Sequence, residues 1–164
     1  MDEAKTAVRR GGPEDWSVLK SIRLEALFDT PEAFGSTFGE SSSWSDARWR
    51  KAAQDWHFFL AELEGRTLGM VTAGFNDQHP GTGWMYGMYV TPDARGTGVA
   101  TKLMNAACEW ALAQGLSQLH LQVTTIVSRA RAFYEKSGFV STGESITMER
   151  DPSISLITMV RDLG

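Results

Sequence analysis

Residues 89–103, YVTPDARGTGVATKL, place two glycines and an alanine directly after an arginine, between an apolar run and a helical one. Small residues let another group approach the backbone closely, and glycine also permits left-handed conformations. The amide N–H groups at the start of a helix have no partner within the helix, so an anion that can reach them is bound there. The stretch therefore favours an anion-binding turn that opens a helix.

Other interpretations of RGTGVATK were weighed against this one. A Walker-type phosphate loop needs Gly before its Lys and Ser or Thr after it, whereas Thr101 precedes Lys102 and a leucine follows. A dinucleotide fingerprint needs Gly or Ala where Thr101 stands and an acidic residue about 20 positions later, and QLHLQV offers none. A purely structural strand-to-helix turn stays open. The favoured function is a diphosphate site made by bare amides, with Arg95 supplying a fixed charge.

The elements around this turn follow from periodicity. Apolar residues recur at three and four over 99–114, which predicts a helix of about 24 Å that ends at Gly115. WMYGMYV before it predicts an aromatic strand covered on both faces, and SQLHLQV after it predicts another strand. Because a helical crossover joins parallel neighbours, these two strands should be parallel. WHFFLAEL and TLGMVTAGF predict a hairpin turned at Gly65.

The remaining segments complete an α/β order. We expect a first strand at 7–10, a helix from Pro13 through residue 28, a structured loop over 29–43 and a helix over 46–54. The apolar stripe of the first helix runs through the position of Arg23. SRARAFYEKSGF predicts a short helix and SISLITMV a final strand. The predicted fold is a single domain, residues 1–164, with a mixed, mostly antiparallel central sheet flanked by helices.

Composition excludes several classes of protein. The 164 residues are 42% apolar and 22% charged, as in an ordinary globular domain. No apolar run reaches the ~18 residues of a membrane span, and MDEAKTAVRRGG lacks the apolar core of a secretory signal, so we expect a cytoplasmic protein. The net charge of −4 argues against nucleic-acid binding. Residues 1–64 hold 12 acids against 8 bases, which would suit a cationic partner. The lone Cys108 and three histidines indicate no metal site, and Cys108 is expected in the core.

Two motifs together resemble the acetyl-CoA signature of the GNAT superfamily of N-acetyltransferases. MYVTPDARGTGVATKLM carries the family's Arg-x-x-Gly-x-Ala pattern at Arg95, Gly98 and Ala100. LHLQVTTIVSRARAFYEKSGF carries its second element, matched by Val123, Ala130, Phe133, Tyr134, Gly138 and Phe139. The resemblance runs over about 84–139, and RLEAL and TPEAFGST also resemble members of the family.

The resemblance implies acetyl transfer from acetyl-CoA to an amine by direct attack, without a metal or a covalent enzyme intermediate. Backbone N–H groups of the strand before the turn would stabilise the charge on the carbonyl oxygen. Tyr134 is implied as the catalytic proton donor to the leaving thiolate. The implied cofactor-binding residues are Met88, Tyr89, Val90, Arg95, Gly96, Thr97, Gly98, Val99, Ala100, Thr101, Ser128 and Arg131.

Two positions depart from the family pattern. Val127 stands where the family often has an Asn that contacts CoA, and Gln122 stands where some members have a Glu base. The base is open among four residues, which are Glu40, Asp77, His79 and His120. A weakly catalytic acyl-CoA-binding module and a nucleotide-binding enzyme remain as alternatives.

The acceptor and the assembly are not specified by the sequence. A polyamine, an aminoglycoside, an amino acid, an antimetabolite or a protein N-terminus are all open as acceptors. Aromatic residues of the early region either shape an acceptor pocket or anchor a loop; they are Phe34, Phe38, Trp44 and Trp49. The basic group of Arg129, Arg131 and Lys136 either pairs with the CoA 3′-phosphate or is a solvated face. Homodimers are common in the family, and we expect neither nucleic acid nor membrane as a partner.

Overall fold

The structure, a computed structural model, describes residues 5–164. The first four residues of MDEAKTAVRRGG, the stretch that lacks the pattern of a secretory signal, lie outside the described residues. The strands are β1 (Ala7–Arg10), β2 (His57–Leu63), β3 (Arg66–Phe75), β4 (Thr82–Val90), β5 (Gln118–Thr124), β6 (Val140–Met148) and β7 (Asp151–Asp162). The helices are α1 (Trp16–Asp29), α2 (Phe38–Ser42), α3 (Asp46–Asp55), α4 (Val99–Ala113) and α5 (Ser128–Lys136). Short 3-10 turns lie at Pro13–Asp15, Pro31–Ala33 and Pro92–Ala94.

The seven strands form one sheet in the order β1-β2-β3-β4-β5-β7-β6. All neighbours are antiparallel except β4 and β5, which the α4 crossover joins in parallel. Alternation along β2 divides the apolar residues between two cores: Phe59 and Ala61 face α4, while Phe58 and Leu60 face α1 and α3. The predicted fold class is thereby confirmed.

Glycine conformations account for the boundaries that were predicted correctly. The β2–β3 hairpin turns through Glu64 and Gly65, both at positive φ (49° and 79°). Helix α4 begins after Gly98, at φ 87°, and ends before Gly115, at φ 80°. Cys108 is buried, as expected for a core residue.

Two expectations about strands are wrong. The sequence did not predict β6, because VSTGESITM has no regular apolar alternation and every residue except Met148 is exposed. The strand forms because it pairs with β7. Strand β4 is not covered on both faces, since Tyr86 is 48% exposed just beyond the point where β4 separates from β5. Within residues 5–164, the helices are too short or too polar to cross a bilayer.

Candidate active site

The site forms where β4 and β5 separate. The two parallel strands pair at three positions only: Thr82 with Gln118, Gly83 with Leu119, and Trp84 with His120. From Met85 onward, the edge of β4 that faces β5 has no strand partner. Apart from the Val90 carbonyl, which accepts from Arg95 at 3.1 Å, the backbone groups on this edge are therefore available to another molecule.

A bulge in β4 lies at the same point. Met70 of β3 pairs with Tyr89 and Thr72 pairs with Tyr86, so Gly87 and Met88 both lie opposite one residue of β3. Gly87 has a φ of 65°, a conformation that L side chains rarely adopt. The bulge re-aims the backbone of β4 beside the separation of the strands.

Two cavities open on the separated strands and share part of their lining. The first, called the α1 groove, has a volume of about 520 Å³ and is lined by residues that include Arg23, Phe34 and Tyr86. The second, called the turn cavity, has a volume of about 410 Å³ and is lined by residues that include Arg95, Gly96 and Gly98. Both are lined by Ala33, Met88, Val127, Ala130 and Tyr134. A molecule that enters from the turn cavity can thus meet one that enters from the α1 groove.

The turn before α4 presents unpaired amides to the turn cavity. Gly96 and Gly98 both take positive φ, at 76° and 87°. The backbone N–H groups of residues 96–101 donate to no acceptor among residues 5–164, and Lys102 is the first to bond back, to the Gly98 carbonyl. A Cβ on Gly96 would meet no atom within 4 Å. This row of donors at the positive end of a helix dipole suits a diphosphate.

Arg95 ties the turn to the rest of the fold. Its guanidinium donates to the Asp29 carboxylate at 2.6 Å and to the Val90 carbonyl at 3.1 Å. Asp29 therefore partly balances the fixed charge that the sequence assigned to Arg95. The side chain both lines the turn cavity and connects α1 to the turn.

Tyr134 lies at the junction of the two cavities. Its ring is buried against Phe133 and Phe139, with centroids 5.3 and 5.7 Å away. Burial raises the pKa of Tyr134, so its hydroxyl is protonated at neutral pH. None of the hydrogen bonds within residues 5–164 involves that hydroxyl, so it is available to a bound molecule.

Most of the predicted cofactor-binding residues converge on the turn cavity. Those that line it are Met88, Tyr89, Val90, Arg95, Gly96, Gly98, Ala100 and Thr101. Thr97 does not line it, but its hydroxyl donates to the Ala94 carbonyl and so fixes the turn. Val99 packs in the core instead.

Helix α5 presents a different arginine from the one singled out in the sequence. Arg129 lines the turn cavity, whereas neither Arg131 nor Ser128 does. Arg131 instead donates to Glu135 one turn along the helix at 2.8 Å. The face of α5 toward the turn cavity is formed by residues 129, 130, 133 and 134. Position 131 falls on the opposite side of the helix.

Three of the four candidate bases come together in a further cavity. Asp77, His79 and His120 line a space of about 670 Å³, here called the histidine cavity, which meets the α1 groove at Phe75, Trp84 and Gln122. Glu40 lines none of these three cavities.

His120 is the candidate nearest the separation of the strands, because it pairs with Trp84 at the last parallel position. Its ring centroid is 5.9 Å from that of His79. Its buried Nδ1 has no hydrogen-bond partner among residues 5–164. Burial, with a smaller effect from His79, lowers the pKa of His120, so the ring is neutral at pH 7 and able to accept a proton.

The four aromatics of the early region separate into two roles. Only Phe34 lines the α1 groove. Trp49 is fully buried in the core beneath α1, and Trp44 lies 4.7 Å from it. Phe38 packs edge-on against Phe28. The last three therefore anchor the loop.

Arg23 is the residue of the site that sequence reasoning missed. It was placed on the buried stripe of α1, and the structure shows it lining the α1 groove. An arginine at an apolar position of an amphipathic helix was the signal that could have found it. Among residues 5–164, no group of three or more His, Cys, Asp or Glu side chains is arranged to hold a metal ion.

Comparison with known proteins identifies the class. Residues 22–139 match the acetyltransferase (GNAT) family, and the chain belongs to that family. It is 27% identical over 122 residues to an uncharacterized N-acetyltransferase of Methanocaldococcus jannaschii, covering 71% of this chain and 54% of that protein. It is 33% identical over 79 residues to an acetyltransferase of Pectobacterium atrosepticum, and the match covers 48% of this chain and 54% of that protein. The chain spans about half the length of these curated relatives.

Solved structures show the same fold. A GCN5-related N-acetyltransferase from Kribbella flavida superposes with a TM-score of 0.76 at 20% identity, covering 98% of this chain and 99% of that one. The yncA protein of Salmonella typhimurium, whose structure was determined with its cofactor acetyl-CoA, has a TM-score of 0.76 at 18% identity, covering 97% and 94%.

Proposed function

We propose that this chain, as one catalytic domain of residues 1–164, transfers an acetyl group from acetyl-CoA to a primary amine of a small molecule or a peptide by direct attack. The observation that carries the proposal is the row of unpaired amides over 96–101, which opens on a cavity that reaches Tyr134. The family membership and the fold support it.

The residues of the turn cavity suit the diphosphate and the pantetheine arm of CoA. The amides of residues 96–101 would hold the diphosphate, and the charged residues of the lining, Arg95 and Arg129, are both cationic. The free edge of β4 from Met88 to Val90 would hydrogen-bond the amides of the pantetheine arm, as an added strand does. When bound, acetyl-CoA supplies an activated acetyl thioester.

Tyr134 is the proposed proton donor. Tyr134 lines both cavities, whose junction is where the thioester and the amine would meet, and burial keeps its hydroxyl protonated. Donation to the leaving sulfur as the C–S bond breaks would contribute general acid catalysis. Backbone N–H groups of β4 beside its bulge would stabilise the negative charge that develops on the acyl oxygen.

His120 is the proposed proton acceptor. A protonated amine cannot attack, so one proton has to leave before the new bond forms. Gln122, on the same face of β5 as His120, has no basic form, so we assign the proton to the neutral imidazole of His120, which lies at the last paired position before the strands separate. The histidine cavity offers the proton a route out of the α1 groove.

Release of CoA from acetyl-CoA in the presence of a panel of amines tests the proposal. Release above the rates without amine and without protein supports acetyl transfer, and mass spectrometry of the amine confirms a gain of one acetyl group. CoA binding with no release by any amine would instead support an acyl-CoA-binding module. Stabilisation by ATP or NAD but not by CoA in a thermal melt would support a nucleotide-binding enzyme.

A further inference from the structure

Arg23 carries a positive charge into the α1 groove with no counter-charge. Its guanidinium lies over the Phe34 ring, 4.9 Å from the centroid. No ion pair within residues 5–164 involves Arg23. Burial lowers the pKa of Arg23, but a guanidinium stays protonated in proteins. A half-buried cation without an anion is costly, so a bound anion would relieve that cost.

The charge of the groove limits the class of acceptor. Of residues 5–164, Arg23 is the one charged residue that lines the α1 groove, and none of their Asp or Glu side chains does so. A polyamine or an aminoglycoside would bring several positive charges to this wall and would be repelled. The acids of residues 5–64, part of the surplus that suggested a cationic partner, thus lie outside the lining of the groove.

The position of Arg23 places the anion beside the reacting amine. A Cβ on Gly87 would lie 3.2 Å from a terminal nitrogen of Arg23, so the guanidinium lies against the β4 bulge. The next residue, Met88, lines both cavities, where the thioester and the amine would meet. The anionic group and the amine of the acceptor must therefore be separated by only a few bonds.

We propose that the acceptor is a free amino acid or a similarly short amine with a carboxylate, whose carboxylate pairs with Arg23 while its amine faces the thioester. This proposal rests on the proposed acetyl transfer. The aromatic wall formed by Phe34, Trp84 and Tyr86 favours an apolar or aromatic side chain. A protein N-terminus fits less well, because its α-carboxylate lies at the far end of the chain.

The reaction balances with no further reactant. The ammonium loses one proton to His120 and onward to solvent, and the neutral nitrogen forms a bond to the acyl carbon. The C–S bond breaks and the thiolate receives a proton from Tyr134, and the second nitrogen proton then passes through solvent to Tyr134 and restores its hydroxyl. An N-acetylated amino acid, CoA and one released proton are the products.

Matched pairs of amines test the role of the carboxylate. L-phenylalanine is compared with phenethylamine and L-phenylalaninamide, and L-methionine with 3-(methylthio)propylamine, by mass-spectrometric detection of acetylation. Losing one partner of a desolvated charge pair costs about 2 kcal/mol or more, which is a factor of about 30. We expect kcat/KM for each carboxylate to exceed that of its partner by at least this factor. Equal or faster acetylation of the amines without a carboxylate would overturn the proposal.

Arg23→Met and Arg48→Met provide the matched variants. Both remove a guanidinium that lies over an aromatic ring, and Arg48 contacts Trp44 away from the groove. Arg23→Met should abolish the preference for carboxylates and leave the CoA affinity unchanged, since Arg23 does not line the turn cavity. Arg48→Met should keep the preference. If Arg23→Met lowers both series equally, Arg23 is a packing residue and the proposal fails.

A binding measurement separates this proposal from the proposed function. Calorimetry of the CoA-loaded protein with N-acetyl-L-phenylalanine should give heat, and N-acetylphenethylamine should bind at least about 30-fold more weakly. No preference, or no binding of either compound while CoA binds, would overturn the carboxylate site and leave acetyl transfer standing. Absence of CoA binding itself would overturn the proposed function.

Discussion

Replacing Tyr134 by Phe removes one hydroxyl and keeps the packing of the ring against Phe133 and Phe139. Because that hydroxyl has no hydrogen-bond partner within residues 5–164, the substitution leaves no protein group unsatisfied, and the free energy of unfolding should change by less than about 1 kcal/mol. Proton donation contributes about 10²–10⁴-fold to a rate. A thiol pKa of about 8.5 makes the thiolate a tolerable leaving group, which places the loss at the low end. We expect kcat to fall about 10²-fold, or about 2.7 kcal/mol of barrier.

The assay follows CoA release with a thiol reagent at saturating acetyl-CoA, using the best amine of the panel. Calorimetry with CoA and a thermal melt are run on the same preparations, and both should match wild type. A kcat within twofold of wild type would remove Tyr134 from the mechanism. A loss of kcat together with weaker CoA binding would assign Tyr134 to the binding of the cofactor instead.

Three further predictions concern the bulge, the first turn and the proposed base. Gly87→Ala should lower the free energy of unfolding by about 1–2 kcal/mol, because an L residue is strained at φ 65° and its Cβ would press on Arg23. An unchanged melting temperature would contradict this expectation. Asp15→Asn should lower the free energy of unfolding in urea by about 1.5–3 kcal/mol, since the Asp15 carboxylate accepts hydrogen bonds from both terminal nitrogens of Arg9 at 2.7 and 2.9 Å. That pairing lowers the pKa of Asp15 in the folded state. The stabilisation is therefore fully present above the pKa of an unfolded Asp, about 3.9, and is lost as the pH falls through the lower pKa of the folded state. The unfolding free energies of wild type and Asp15→Asn should become equal in acid. The lowered pKa of His120 predicts that kcat/KM falls only below about pH 6.5. His120→Gln should lower kcat/KM about 10²-fold and remove this fall at acidic pH. An unchanged pH profile in the variant would exclude His120 as the base.

The parts of the fold that could be read from the sequence are those fixed by local conformation. Gly65 and Gly115 end their elements because each takes a positive φ, and this requirement is visible in a few neighbouring letters. Strand β6 has no such local signal. It pairs with β7 in a hairpin joined through residues 149–150, and the register shifts between Ser141 and Ser145 and again between Thr147 and Met148, so no regular alternation marks the strand.

The candidate site divides in the same way. The amides of residues 96–101 belong to one continuous turn, so the sequence could predict them together. The choice of Arg129 over Arg131 depends on the rotational phase of α5 against the sheet, which is a tertiary property. The sequence offered His120 as one of four candidate bases and Arg23 as an arginine on an apolar stripe, but the roles of both depend on where α1 and β5 dock beside the β4 bulge.

An amide NMR titration of the isotope-labelled chain tests the central claim, that bare amides before α4 hold the diphosphate of CoA. CoA is compared with pantetheine, which lacks the diphosphate. The account predicts that the amide resonances of residues 96–101 shift strongly with CoA and hardly at all with pantetheine, while those of Met88 to Val90 shift with both. Equal shifts of residues 96–101 with the two compounds, or none with either, would contradict it.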